Sequence, residues 1–202
     1  VGPGFFFKFI SGQMFFVILV SLLSGSGIVA NDRRTKALPL YFSKPMGFYD
    51  YLAGKFFVVA FYGSLVTFVP AMLLFLMKVL LASDLTFVRS YYWLPLAVTG
   101  YSMMLLVVTG GVVMAVSASA RGARSAAIVF FVLMSFPELL RVILGRIPLA
   151  GIISIQADIR QAGAVLFGET APHSFPSAMA VTFLALAVLF SFLVLRRRIK
   201  PT

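Results

Sequence analysis

The sequence predicts an all-α polytopic membrane protein. Of its 202 residues, 61% are hydrophobic and only 11% are charged, which leaves too little polar surface for a soluble domain of this length. Five apolar runs are each about as long as the roughly 20 residues that a helix needs to cross the hydrocarbon core. The charged residues stand mostly between these runs. We therefore interpret residues 1–202 as a single transmembrane domain.

The apolar runs cover, in order, residues 5–29, 56–81, 92–116, 125–144 and 176–195. We expect helices, because a helix satisfies every backbone polar group within its own segment, and the alternation of a membrane β-barrel is absent. Pro70 and Pro137 lie inside the second and fourth runs. Because the chain begins at Val1 rather than Met, we expect N-terminal sequence to be missing and the intact protein to have six spans.

The distribution of basic residues predicts the orientation. Residues 30–55, 117–124 and 196–202 fall on one side of five alternating spans and contain most of the lysine and arginine, so the positive-inside rule makes that side cytoplasmic. The cytoplasmic cations are Arg33, Arg34, Lys36, Lys44, Lys55, Arg121, Arg124, Arg196, Arg197, Arg198 and Lys200. The net charge of +11 does not indicate nucleic-acid binding, because the cations cluster at the ends of apolar runs rather than along one stripe.

Residues 146–175 form a different kind of connection, expected on the extracytoplasmic side. They are moderately apolar, but prolines, glycines and charges interrupt them too often for a span. Within them, residues 152–166 predict a short helix that lies at the outer surface or dips into it.

Residues 30–55 are a polar, basic segment between the first two spans. Pro45 stands where a first helical turn can begin, and Met46, Tyr49 and Leu52 follow at helical spacing. This pattern predicts short amphipathic elements along the membrane. On physical grounds alone, a basic loop held against anionic headgroups is an equally good interpretation.

The same segment resembles the signature of ABC-2 type transporter permeases. The resemblance lies in residues 32–45 (DRRTKALPLYFSKP) and 51–55 (YLAGK), and it extends to the small-residue end of the next cytoplasm-bound span at 116–121 and to the broken segment before the last span. The chain departs from the family pattern at Lys36-Ala37, at Pro39 and at Gly47-Phe48.

The resemblance implies a coupling helix that docks into a cytoplasmic ATPase subunit, in a complex of two ATPases and two permeases, the same or different, in a bacterial plasma membrane. Gly54 would allow close packing where the next span begins, and Pro45 would set the bend before it. The residues implied at the ATPase interface are Asp32, Arg33, Arg34, Lys36, Pro45, Tyr51, Gly54 and Lys55.

We expect this chain to hydrolyse no ATP and to bind no cofactor or metal itself. The P-loop pattern needs glycine at 49 and serine or threonine at 56, where the chain has Tyr49 and Phe56. The resemblance places ATP and magnesium on the partner ATPase. No cysteine is present, which excludes thiolate ligands and cysteine nucleophiles.

Small residues recur every four positions at Gly111, Ala115 and Ser119, a spacing that lets helices approach closely in lipid. Static packing is favoured over an interface that moves during transport.

Glu138 and Arg141 are three residues apart near the outer end of the fourth span. They predict either a polar feature on a substrate path or, with slightly more weight, a local ion pair. His173 is the only histidine, and a solvated loop position is favoured over a catalytic or metal-binding one.

Two alternatives to an exporting permease remain open at this stage. The chain could be a membrane anchor or assembly subunit without transport, for which residues 30–55 would serve equally well as a docking surface. It could also be an intramembrane enzyme, which requires convergent reactive side chains at membrane depth; only Glu138 and Arg141 come near this, without a nucleophile.

Overall fold

The computed structural model describes residues 2–36, 47–81, 86–144 and 154–199, and every regular element within these ranges is an α-helix. The predicted elements at 37–46, with Pro45, and the stretch 146–153 lie outside the described residues. The helices are α1 (Pro3–Gly12), α2 (Met14–Gly25), α3 (Ala30–Arg34), α4 (Phe48–Val66), α5 (Phe68–Leu80), α6 (Thr86–Ser90), α7 (Leu94–Ser119), α8 (Ala123–Ile143), α9 (Ile155–Phe167) and α10 (Ser177–Arg198).

Five helical stretches in the described part of the chain are long and apolar enough to cross a membrane, which confirms the predicted fold class. They are Met14–Arg34, Phe48–Leu80, Leu94–Ser119, Ala123–Ile143 and Ser177–Arg198. The first predicted run is divided: α1 ends at Gly12, and the span begins at Met14 after a break at Gln13.

The centre of the bundle is α7. The most apolar window of α7 is 67% buried, against 22% or less for the windows of Phe48–Leu80, α8 and α10. It contacts α2, α4, α8, α9 and α10. The outer spans, Phe48–Leu80, α8 and α10, therefore leave most of their apolar windows exposed, as expected for helices whose solvent is lipid.

The second span begins earlier than predicted. We expected an amphipathic element before residue 56, but Tyr49 and Leu52 belong to the first turns of α4. The carboxylate of Asp50 accepts a hydrogen bond from the Gly47 N–H at 2.9 Å, which stabilises the helix start there. The amphipathic stretch is therefore continuous with the spanning helix.

The same span bends at Thr67, where α4 ends and α5 begins. Pro70 has no N–H to donate to the carbonyl of Val66, so the helical ladder is interrupted at this turn. At the same turn, the carbonyl of Gly63 accepts from both the N–H and the hydroxyl of Thr67, at 3.1 and 3.0 Å.

The short helix expected at 152–166, either at the outer surface or dipping into it, is present as α9 and lies inside the bundle. Nine of its 13 residues are buried. Gln156 donates to the carbonyl of Met134 at 3.0 Å, nine residues before the end of α8, so the start of α9 lies about 14 Å in from that end at 1.5 Å per residue. Gly168, with φ 65°, ends the helix in the left-handed conformation that glycine adopts without strain.

Candidate functional site

The end of the bundle predicted to be cytoplasmic is organised by Ser117, in the last turns of α7. Its hydroxyl accepts hydrogen bonds from the N–H groups of Val29 and Ala30, at 3.1 and 3.0 Å, and donates to the carbonyl of Ser26 at 2.7 Å. These backbone groups belong to the break between α2 and α3, where the helical pattern leaves them without partners. One fully buried side chain therefore joins the end of the first span to α7.

Arg33 strengthens the same junction. Its guanidinium donates to the carbonyl of Ala118, near the C-terminal end of α7. A cation at this position also interacts favourably with the partial negative charge of the helix terminus. Arg33 thus connects α3 to α7 and is only partly exposed.

Asp32 connects α3 to α4. Its Oδ2 accepts a hydrogen bond from the Tyr51 hydroxyl at 2.8 Å and lies 2.7 Å from the Lys55 ammonium. Lys55 also lies over the Tyr51 ring, 5.5 Å from its centroid. Asp32, Tyr51 and Lys55 were predicted from the sequence as separate interface residues, and the structure brings them into one cluster.

Arg34 and Lys36 differ from these residues because both are exposed. Lys36 has φ 55°, which is an uncommon conformation for a residue with a side chain. It is the last described residue of this segment. Among the charged members of the predicted interface that the structure describes, Arg34 and Lys36 are therefore the ones exposed to another molecule.

Gly54 does not have the role that we expected within this chain. It is exposed, and a Cβ placed on it meets no atom of the described structure within 4 Å. Close approach occurs at other glycines: a Cβ on Gly25 would lie 2.5 Å from Val113 of α7, and one on Gly110 would lie 2.9 Å from Phe56 of α4.

The small residues of α7 flank its contact with α10. A Cβ on Gly111 would lie 3.8 Å from Ser191 in α10, an ordinary contact distance. Ala115 and Ser119 line an apolar groove of about 460 Å³ between α7, α8 and α10. Within this chain Gly111 therefore contacts α10, while Ala115 and Ser119 border the groove beside it, and the predicted movement of this stripe during transport stays a prediction.

A second polar cluster surrounds Glu138, in the last turns of α8. Arg141 donates to both carboxylate oxygens, at 2.7 and 3.0 Å, and Arg160 of α9 donates to Oε1 at 3.1 Å. The Ser154 hydroxyl, at the start of α9, donates to Oε2 at 2.6 Å. The predicted ion pair is present, but it is part of a network that attaches α9 to α8.

Arg160 and Ser154 were missed as partners of Glu138 because they lie on another helix, after a connection whose fold the sequence does not specify. With four donors, the carboxylate has no free oxygen for general-base chemistry. A metal role has no support either, since residues 2–36, 47–81, 86–144 and 154–199 contain no cluster of three or more His, Asp or Glu side chains suited to a metal ion.

Gln161 holds α9 to the residues that follow it in the chain. Its amide donates to the carbonyl of Phe175 at 2.7 Å and accepts from the N–H of His173 at 3.1 Å. The His173 ring stacks on Phe175, and burial lowers the pKa of this imidazole. His173 is thus a half-buried, neutral packing residue rather than the solvated one that we expected.

Comparison with known proteins adds no family assignment: no family model matches the sequence, and a search of curated proteins finds no match.

Proposed function

We propose that this chain is the transmembrane permease subunit of an ABC-2 type transporter, and that it exports a cargo across a bacterial plasma membrane. The proposal follows from the sequence signature at residues 32–55 and from the multi-spanning helical architecture. In it, two copies of a separate ATPase hydrolyse ATP, and a second permease completes the path.

The observation that carries the proposal is the attachment of residues 30–36 to two spanning helices, α4 and α7. Asp32 binds Tyr51 and Lys55 of α4, while Arg33 binds the end of α7. A coupling segment has to be attached firmly to the spans, because a loose loop would dissipate the movement of the ATPase. The described part of this segment has such attachments.

Arg34 and Lys36 suit the second requirement of a coupling segment, which is contact with the ATPase. They are exposed and positively charged, next to residues that are bound to the bundle. We expect them to contact an acidic groove of the ATPase, since exposed charges determine the rate and register of association more than they stabilise the chain itself.

The test is reversal of these two charges in the complex with the ATPase that co-purifies with the chain. We expect Arg34→Glu with Lys36→Glu to reduce stimulated ATP hydrolysis and ATPase capture by about tenfold or more, with membrane insertion unchanged, because the contact turns repulsive. The measurements are ATPase activity in reconstituted vesicles and co-purification yield.

The matched control is Arg124→Glu, which reverses an exposed charge on the same predicted side of the membrane, at the start of α8. We expect coupling close to the unmodified level for this variant. Undiminished, coupled transport by the double variant would refute the docking role. A complex that binds the ATPase but never transports would identify the chain as an anchoring subunit instead.

A further inference from the structure

Asp158 is a buried acid with an unpaired oxygen in the first turn of α9. The residue is 2% exposed, and its Oδ1 has no hydrogen-bond partner in the described part of the chain. The helix start is capped by Ser154, whose hydroxyl accepts from the N–H of Ala157 at 3.3 Å, so capping does not occupy the Asp158 carboxyl.

The two helices that α9 contacts most closely among the spans supply no charge to this acid. Throughout its 26 residues, α7 contains no Asp, Glu, Lys, Arg or His, and Tyr101, its titratable residue nearest α9, pairs with the Ser11 hydroxyl at 2.9 Å. In α10 the first charged residue is Arg196, 19 residues after Ser177 and therefore about 28 Å along the helix.

The charged groups of the remaining neighbours are already engaged or exposed. Arg141 of α8 and Arg160 of α9 both bind Glu138. Lys8 of α1 and Glu169 after α9 are exposed, and His173 is held by Gln161. No described cation pairs with Asp158.

A carboxylate in such surroundings loses its hydration without gaining a counter-charge, so the neutral acid is the stable form. We propose that Asp158 is a proton-binding site: α9 packs in the bundle while Asp158 carries a proton, and loss of that proton loosens α9 from α7 and α10. Burial raises the pKa of the Asp158 carboxyl to about 7, which places this exchange near neutral pH.

A proton fits this position better than a metal ion. A cation such as calcium takes six to eight oxygen ligands, whereas the described residues contain no group of three acidic or histidine side chains suited to a metal. Glu138, the acid that joins α8 to α9, already has four donors on its two oxygens.

The packing of α9 explains why the effect would be local. Its polar contacts, through Gln156, Arg160 and Gln161, face α8 and the connection at 173–175. Ala162, one turn after Asp158, belongs to the apolar core that includes α7. Gln161 and Ala162 are three and four residues after Asp158 and so share its side of α9, whereas Gln156 and Arg160 lie on the opposite side. Ionisation therefore acts on the first side, while the contacts of Gln156 and Arg160 with α8 remain.

The experiment uses the absence of cysteine from the chain. A single cysteine replaces Ala164, which is fully buried on α9, and in a second protein replaces the neighbouring Val165, which is 59% exposed. Each protein reacts with a maleimide at a series of pH values from 5 to 8.5, and the rate at position 164 is divided by the rate at position 165. This ratio cancels the intrinsic pH dependence of the thiol. It reports how often α9 leaves its packed position.

The direction follows from the two pKa values. In the released helix Asp158 has its ordinary pKa near 4, and in the packed helix its pKa is higher. Release of α9 therefore becomes about tenfold more favourable for each pH unit between these two pKa values, and it levels off above the higher one. We expect the ratio to rise about 50-fold from pH 5 to 7, because the packed acid is half ionised at its own pKa, and to change by less than about twofold from pH 7.5 to 8.5.

The control is Asp158→Asn, which has the shape of the protonated acid and does not titrate. In that background we expect a low ratio at every pH.

A pH-independent ratio with Asp158 present would overturn the proposal, as would an equal pH response in Asp158→Asn. A response to sodium or calcium at constant pH would overturn it in favour of a metal ion. The first measurement leaves Asp158 unchanged, so it stands even if the asparagine variant does not fold, and neither result bears on the proposed transport role.

Discussion

At the scale of single residues, the role of a charge depends on which atoms of its own chain it already binds. Arg33 and Arg34 are adjacent and look equivalent in the sequence, yet Arg33 donates to the end of α7 and Arg34 is exposed. Asp32 likewise binds Tyr51 and Lys55 rather than standing free. The predicted ATPase-contacting set therefore divides into residues that hold the segment and residues that face outward.

Ser117 provides the residue-scale prediction. We expect Ser117→Ala to lower the free energy of unfolding by about 1–3 kcal/mol, because two N–H groups and one carbonyl lose their partner in a buried position. Thermal unfolding in detergent measures the change. Ser119→Ala, on the same helix but exposed, is expected to remain within about 0.5 kcal/mol of the unmodified chain. Equal effects of the two substitutions would contradict the bridging role.

At the scale of helices, close packing occurs at glycines outside the stripe of small residues that recurs along α7. Val113 of α7 lies against Gly25 of α2, and Phe56 of α4 lies against Gly110. The stripe of Gly111, Ala115 and Ser119 flanks the contact with α10. A four-residue spacing therefore identified a face of α7, but not the helix that covers it.

Gly25 provides the helix-scale prediction. We expect Gly25→Ala to destabilise the fold by about 1–3 kcal/mol, because the new methyl group would overlap Val113, whose branched side chain has little freedom to move. Gly54→Ala is the control: nothing described lies near it, so we expect no loss and a gain of up to about 1 kcal/mol. Val113→Ala should restore much of the stability of Gly25→Ala, and failure of that rescue would show that the contact is not the cause.

At the scale of the whole molecule, the two ends of the bundle are built differently. One end joins α3, α4 and α7 through Asp32, Arg33 and Ser117. The other contains α9, inserted between the spans and attached to α8 through Glu138. A segment near one end is thus fixed to several helices, while the other end holds a short helix with a buried acid.

The orientation of the molecule gives the last prediction. In sealed cells, we expect a cysteine in place of Arg34 to be protected from a membrane-impermeant maleimide and one in place of Thr170 to react, because the positive-inside rule places the basic end in the cytoplasm. Both positions are exposed, so accessibility within the fold does not separate them. After the cells are opened, both should react. Labelling of the Arg34 position from outside would invert the topology and remove the basis for ATPase docking.

Much of the fold was predictable because lipid imposes one strong rule. Each span needs a long apolar run, and such runs are visible without knowledge of any contact. The starts of spans were less predictable: α4 begins at Phe48, well before its apolar run, because Asp50 stabilises a helix start at Gly47. Composition alone does not reveal a helix that continues beyond the hydrocarbon core.

The sequence by itself determined the membrane class, the five spans and the location of the basic segment, since these depend on hydropathy and charge along the chain. Only the tertiary structure decided that Ser117 joins α2 and α3 to α7, that Arg160 shares Glu138 with Arg141, and that the buried Asp158 has no hydrogen-bond partner for its Oδ1 among the described residues. These contacts join residues on different helices, and their energies depend on distance and burial, which a linear pattern does not contain.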